Sequence, residues 1–350
     1  MYNIEISSRT LHFLHPAGTS RGVYTTRKSF YLTLSDSERP GTAGTGECAT
    51  LPDLSCDAMP DRQYEQKLRT FCDGFCRTGR IDTDAMRPYP SMLFGLETAK
   101  AQLEAKGSIN FFNTPFGRGE EGITINGLVW MGTFDEMYRR LEEKLRTGFR
   151  CVKLKIGAID FEKELDLIRH IRQSFTRKQV ELRVDANGGF TPEEALQRLE
   201  QLVQYGIHSI EQPIRQHQWT EMARLCASSP LPIALDEELI GVNNPMEKTR
   251  LLDTIRPQYI VLKPSLHGGM AGTREWIRLA RERNIGSWIT SALESNIGLN
   301  AIAHLTADVY GPHISLPQGL GTGQLFADNI PMPLETRGDQ LWISHQAKGC

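Results

Sequence analysis

Residues 151–157 read Cys-Val-Lys-Leu-Lys-Ile-Gly, an apolar strand pattern carrying two lysines two positions apart. Side chains two apart on a strand point to one face, so Lys153 and Lys155 share a side. Working outward, LRVDANG (182–188) closes on Asp185, HSIEQP (208–213) on Glu211, PIALDEE (232–238) on Asp236, and YIVLKPS (259–265) on Lys263. The steps are 211 − 185 = 26, 236 − 211 = 25 and 263 − 236 = 27 residues. One strand plus one crossover helix takes about that length. Charged ends of successive parallel strands converge on one rim, which in a β/α barrel is where the chemistry sits.

The same alternation extends both ways. A strand over 125–130 leads to a helix over 133–147, and another helix starts at Phe161. Thr191-Pro192-Glu193-Glu194 opens a further helix, with Thr as N-cap, Pro in the first turn and Glu reaching back. Residues 287–290 read as a strand, and 313–316 as the last one. Eight strands without a glycine-rich phosphate turn after the first favour a closed barrel over a doubly wound sheet, so the predicted class is α/β. The N-terminal part reads differently. Residues 2–7 and 29–34 suggest antiparallel strands, 16–26 and 41–55 small-residue loops, and 64–78 and 91–103 helices, an α+β module. The expected division is 1–118 for this module, 119–322 for the barrel, and 323–350 for a segment running back to the module.

The chain has 350 residues, 39% hydrophobic and 23% charged, with a net charge of −2, ordinary for a soluble enzyme. That balance favours neither a nucleic-acid nor a membrane partner. The start, MYNIEISSRTLHFLHPAG, alternates instead of running apolar, so neither a signal peptide nor a span is expected and the location read is cytoplasmic. The seven cysteines are scattered, which fits a reducing compartment. Cys72 and Cys76 stand at i,i+4 but have no second Cys/His pair for zinc. Gly-x-Ser-x-Gly does not appear at a strand–helix turn, and there is no Gly-x-x-x-x-Gly-Lys phosphate loop. No helix face is apolar beyond what a barrel exterior needs, so no oligomer interface is read from it.

Asp185, Glu211 and Asp236 offer only hard oxygen donors, which favour Mg2+ over zinc or copper. Such an ion stabilises negative charge on a substrate carboxylate when the neighbouring carbon loses its proton. The acceptor is expected to be a lysine made less basic by positive neighbours or burial. Lys153 and Lys155 discourage each other's protonation, and Lys263 enters from the opposite side, which permits one-base or two-base chemistry. Each residue also has a plainer reading. A strand-end Asp can cap a turn, Glu211 before Gln-Pro can face solvent, and Lys263 can snorkel. Asp236 is followed by Glu237 and Glu238, so spacing alone does not choose among them. The joint register of the set outweighs these readings.

This order, Lys-x-Lys, Asp, Glu, Asp, Lys behind an α+β module, resembles the enolase superfamily. VKLKIG, VDANGGF, IEQP, ALDE and VLKP are similar to its muconate-lactonizing-enzyme-like branch, and the resemblance covers nearly the whole chain. Within that branch, SALESNIGLNAIAHLTA, PQGLGTGQLF, GECATLPDLS and MLFGLETA look like the o-succinylbenzoate synthase family of menaquinone biosynthesis. The resemblance implies a (β/α)7β barrel with a capping domain. It also implies syn-dehydration of 2-succinyl-6-hydroxy-2,4-cyclohexadiene-1-carboxylate through a metal-stabilised enolate, a small-molecule carboxylate being the partner. Mg2+, with Mn2+ as a substitute, would sit on Asp185, Glu211 and Asp236. Lys155 would take the α proton and protonate the departing hydroxyl. Lys153 would lower the basicity of Lys155 and touch the carboxylate, and Lys263 would hold its charge over the enolate face. Asn187 would support the ligands. Ser291, Gly319 and Gly321 would meet the succinyl end, and the loops at 16–26 and 41–55 would close over the site.

Related enzymes racemise N-acylamino acids, epimerise dipeptides or cycloisomerise muconate. The dipeptide epimerases carry Asp-x-Asp after the eighth strand, whereas residues 317–323 here read PQGLGTG without an acid. N-succinylamino acid racemisation stays open, because Lys155 and Lys263 could serve as opposed bases. A non-catalytic barrel would be expected to have lost a ligand or a base, and none is missing. His267, past the end of the Lys263 strand on a glycine-rich turn, reads as loop structure.

Overall fold

The computed structural model describes residues 1–19, 22–130, 132–157 and 160–344. Strands β1 (Tyr2–Thr19), β2 (Gly22–Asp36) and β3 (Ala43–Cys48) form an antiparallel sheet in that order. The first expected loop is therefore largely strand, and the second is strand over 43–48 only. Residues 16–26 lie mainly in the arms of a long hairpin, with residues 20 and 21 outside the described part. Within 41–55, residues 43–48 pair with β2 from Ser35↔Ala43 to Phe30↔Cys48. The hairpin arms are mostly exposed, with Ala17 buried and Tyr24 half-buried, so they lack the sustained apolar alternation that marks a half-buried strand. The glycines of β3 reflect close approach instead. A Cβ on Gly46 would lie 1.8 Å from the carbonyl oxygen of Gly95. Gly95 belongs to α3 (Pro90–Glu104), which with α1 (Asp61–Thr78) and α2 (Thr83–Met86) covers the sheet. Phe30, Leu32 and Leu34 pack there against Leu68, Phe75, Met92 and Leu96.

After β4 (Ile123–Thr124) the chain alternates strand and helix. The elements are β5 (Gly127–Val129), α4 (Phe134–Arg146), β6 (Cys151–Lys155), α5 (Phe161–Ser174), β7 (Glu181–Asp185), α6 (Pro192–Val203) and β8 (Ser209–Glu211). They continue as α7 (Trp219–Ser228), β9 (Ile233–Leu235), α8 (Pro245–Ile255), β10 (Tyr259–Leu262), α9 (Gly269–Arg281), β11 (Gly286–Ile289) and α10 (Asn296–Tyr310). Thr191 and Glu194 form the expected capping box at α6, and Thr133 with Glu136 forms another at α4. Strands β5 to β11 make one parallel sheet in chain order. One large core, from Val152, Leu154 and Val184 to Leu251, Ile277 and Leu305, fills the space between strands and helices.

Residues 313–316 are not the last strand. Pairing occurs just beyond, where Gln318 bridges Ile125 and Gly319 bridges Thr290, both in parallel sense. The two edges of the sheet thus meet the same short segment. Its Pro-Gln-Gly composition carries no apolar strand signal, whereas Ile314 and Leu316 did.

Further on, Ala327 N donates to His12 O and Leu14 N to Leu325 O, so this stretch lies along β1. The hairpin β12 (Leu334–Arg337) and β13 (Gln340–Ile343) pairs instead with β4. Among the described residues no helix is long and apolar enough to cross a membrane.

Candidate active site

Parallel register sets three rim residues side by side: Lys155 pairs with Asp185 on β6 and β7, and Asp185 with Glu211 on β7 and β8. Glu211 pairs with Ala234, and Asp236 lies two residues further along. The site residues are thus level from β6 to β8 and step two residues further along at β9. Asp185, Glu211 and Asp236 are almost wholly buried.

Lysines occupy their oxygens. Lys153 Nζ donates to Asp185 Oδ2 at 3.0 Å and to Glu211 Oε1 and Oε2 at 3.0 and 2.9 Å. Lys155 Nζ donates to Asp185 Oδ2 at 2.6 Å and to Asn187 Oδ1 at 2.7 Å. Lys263 Nζ donates to Asp236 Oδ2. Asn187, in left-handed backbone at φ 45°, also donates its side-chain amide to Glu237 Oε1 at 2.9 Å. It therefore ties Lys155 to a fourth carboxyl group of the ring.

The field of the ring follows from these contacts. Burial opposes ionisation of Asp185, but Lys153 and Lys155 outweigh it and hold its carboxyl below the usual range. Burial and the charge of Asp185 push Glu211 up. Burial alone would lower Lys153, yet Asp185, Glu211 and Asp236 outweigh it and keep the ammonium charged. Lys263 is likewise held up against burial by Asp236 and Glu237. His267 is fully buried, and burial pushes it down to about 3. Its Nδ1 accepts from Lys263 N at 2.9 Å, so it serves the turn as a neutral acceptor.

Among the described residues no three His, Cys, Asp or Glu side chains form a ready-made metal shell. The chemistry of the ring nevertheless fits a hard cation. Its donors are all oxygen, and Asp236 Oδ1 and Glu237 Oε2 are buried without a hydrogen-bond partner.

The residues expected at the succinyl end are more constrained than sequence suggests. Ser291 Oγ donates to Glu294 Oε2 at 2.8 Å and accepts from Leu293 N at 3.0 Å. Gly319 N donates to Ile289 O, and Gly319 O accepts from Ser291 N at 3.0 Å, so its backbone is spent on strand pairing. Gly321 is exposed. A cavity of about 380 Å³ is lined by Phe13, Tyr24, Thr26, Arg27, Thr50 and Leu51 of the N-terminal module, not by the carboxylate ring.

Sequence reading left one contributor open and missed another. Glu237 follows Asp236 directly, and the Asp-Glu-Glu run left the choice open. Gln212 is buried at φ 40°, and its Oε1 accepts from Asp236 N and Glu238 N, both at 3.2 Å. It joins the ends of β8 and β9, and its place directly after Glu211 was the available signal.

Residues 136–335 match the family model described as enolase C-terminal domain-like. The chain belongs to the enolase superfamily. This superfamily member is 46% identical to the o-succinylbenzoate synthase of Desulfotalea psychrophila, over 98% of this chain and 100% of that one. It is 26% identical to the o-succinylbenzoate synthase of Haemophilus influenzae, over 78% and 77% of the two chains. The crystal structure of MenC from Desulfotalea psychrophila superposes with a TM-score of 0.82 at 43% identity, covering 98% of this chain and 99% of that one. Muconate lactonizing enzyme from Pseudomonas fluorescens shares the fold, with a TM-score of 0.80 at 22% identity over 98% and 93% of the chains.

Proposed function

We propose that this chain dehydrates 2-succinyl-6-hydroxy-2,4-cyclohexadiene-1-carboxylate to 2-succinylbenzoate, a step of menaquinone biosynthesis. The observation that carries the reading is the buried ring in which Lys153, Lys155 and Lys263 each reach a rim carboxylate. The identity with o-succinylbenzoate synthase supports it over nearly the full chain. In this reading the bridges through Gln318 and Gly319 close a (β/α)7β barrel over 119–322. Residues 1–118 form the capping domain, and the segment from 323 returns towards it; 345–350 lie outside the described residues.

Asp185, Glu211 and Asp236 would hold Mg2+, with Mn2+ as a substitute. A divalent ion there supplies positive charge to the substrate carboxylate, easing loss of the neighbouring proton. Lys155 takes that proton from the carbon α to the ring carboxylate. It then returns a proton to the hydroxyl leaving on the same face. One C–H and one C–O bond break, water departs, and the ring becomes aromatic, which makes the second step strongly downhill. Lys155 must turn an unshared electron pair to the substrate, so its hydrogen bonds to Asp185 and Asn187 rearrange on binding. Lys153 remains an ammonium beside the substrate carboxylate, and Lys263 holds its charge on the far side. Ser291 offers only an acceptor while it donates to Glu294, and the succinyl ketone and carboxylate only accept, so a bridging water would join them.

The test is an absorbance assay of the cyclohexadiene with Mg2+ and again with EDTA. Mg2+-dependent loss of the diene is expected. Absence of turnover with Mg2+ bound would move the reading to racemisation of N-succinylamino acids, followed by polarimetry.

A further inference from the structure

We infer that Glu294 is a positioning residue that locks the turn carrying Lys263 to the turn carrying Ser291, and that Glu47 fastens this pair of turns to the N-terminal module. The inference rests on the reading above for the importance of Lys263 and Ser291. Glu294 is buried. Its Oε1 accepts from Ser265 Oγ at 2.5 Å, two residues beyond Lys263. Its Oε2 accepts from Ser291 Oγ at 2.8 Å and Ala292 N at 2.7 Å. One carboxyl group therefore spans the ends of β10 and β11.

The first turn is tight. Leu266 N and His267 N donate to Lys263 O at 2.8 and 2.9 Å, and Lys263 N donates to His267 Nδ1. A shift of Ser265 therefore moves the backbone that aims Lys263. The second turn is strained, with Leu293 at φ 66°, a conformation that persists only where its surroundings hold it.

The N-terminal module supplies the other grip. Glu47 of β3 is buried, and its Oε1 accepts from Ser29 Oγ at 2.8 Å and Ser295 N at 3.0 Å. Its Oε2 accepts from Ser295 Oγ at 2.6 Å and Gly298 N at 2.9 Å, capping the first turn of α10 across 248 or more residues of chain. Arg27 of β2 donates to Ala292 O and, at 3.1 Å, to Ala49 O. Gly298 lets the two carboxyl groups share one helix face, since a Cβ there would lie 2.6 Å from Glu294 Cβ and 2.8 Å from Glu47 Oε2. Seating of the module is thus transmitted through Ser295 and Glu294 to both turns.

The test uses Ser265→Ala, Glu294→Asp and their double variant in the full-length protein. Asp is one methylene too short to span both turns. Misplacing a catalytic group by about 1 Å can lower turnover by about a hundredfold. We expect kcat to fall about tenfold in Ser265→Ala and about a hundredfold in Glu294→Asp, with KM within about twofold. The double variant should be no worse than Glu294→Asp, because both changes cut one tie. Glu294→Gln spans the original distance and can donate its amide to Ser265, so it should recover at least about tenfold over Asp. Amide hydrogen exchange is read on the same proteins and needs no turnover. In Glu294→Asp it should quicken at Leu266 and His267 together with Ala292 and Leu293. Unchanged kcat, losses that multiply in the double variant, or quickened exchange confined to Ala292 and Leu293 would each overturn the inference. If Glu294→Asp does not fold, Ser265→Ala and Glu294→Gln decide it by the same readouts. A wild type that does not consume the cyclohexadiene would refute the reaction, while exchange would still decide the coupling.

Discussion

Replacing Lys153 with methionine keeps the apolar stem and removes the ammonium that spans Asp185 and Glu211. Its three contacts, at 2.9–3.0 Å, are made to carboxyl groups no more than 2% exposed. Breaking a buried ion pair by deleting one partner costs about 3–5 kcal/mol. Asp185 keeps Lys155 at 2.6 Å, so the lower end, about 3 kcal/mol, is expected. At about 2.1 cal/mol/K per residue, 350 residues give an unfolding entropy near 0.7 kcal/mol/K and a Tm drop of about 4 °C in EDTA. Mg2+ should then narrow the gap. In the wild type an ion on Asp185 and Glu211 displaces Lys153, whereas in the variant it displaces nothing. At a hundred times its Kd an ion adds about 2.7 kcal/mol, and the variant should show the larger rise. The assay is a thermal melt of both proteins in EDTA and in Mg2+. Equal melting in EDTA, or an equal rise with Mg2+, would refute the claim that lysine and metal compete for these oxygens. Turnover should stay low in the variant even with Mg2+, because the charge beside the substrate carboxylate is gone.

Lys155→Ala and Lys263→Ala should each lower kcat by at least about a thousandfold in the diene assay, while circular dichroism stays near wild type. Asp57, buried beneath the start of α3 and bonded to Ser91 N and Oγ, has its carboxyl pushed up by burial from 3.8 to about 6. The folded state then holds this proton more tightly than the unfolded chain. Its stabilising contribution is full below pH 4 and is lost as pH rises through about 6, by about 3 kcal/mol. Asp57→Asn should remove that slope from urea-unfolding free energies measured across this range, and an unchanged slope would assign it to other groups. Gly298→Ala should destabilise by about 1–3 kcal/mol by forcing Glu47 and Glu294 apart, read as an earlier urea midpoint.

The rim was legible because each of its charges closes, or lies inside, a short apolar run. Such a run has a length, and a β/α unit has a length, so Asp185, Glu211, Asp236 and Lys263 could be set on one edge from spacing alone. The N-terminal hairpin was not legible for the opposite reason. Strand pairing over 16–26 is a backbone matter, and so few of its described residues are buried that the side chains leave no period. Glu47 shows a third kind of limit. Its meaning lies in Ser295 and Gly298, roughly 250 positions away, and a single carboxylate in GECATLPDLS has no local feature announcing that it caps a helix in another part of the fold. Ser291 was located but under-described. Its neighbourhood is visible in SALES, yet only three dimensions show that its proton is committed to Glu294.

The ring can still be weighed against a purely architectural role. Buried ion pairs add little stability over well-packed apolar side chains of similar volume, and often less than nothing. Part of the parallel sheet displays the alternative one layer down. Ala234, Val261 and Trp288 form an apolar cluster two residues before Asp236, Lys263 and Thr290 on the same three strands. On these three strands the step from apolar to polar is made at the C-terminal end. It leaves Asp236 Oδ1 and Glu237 Oε2 buried and unpartnered, which a structural ion-pair layer would be expected to satisfy. The chain has instead gathered at this level charges whose full complement of partners it does not itself provide. That is the arrangement expected where the missing partners are a cation and a substrate carboxylate.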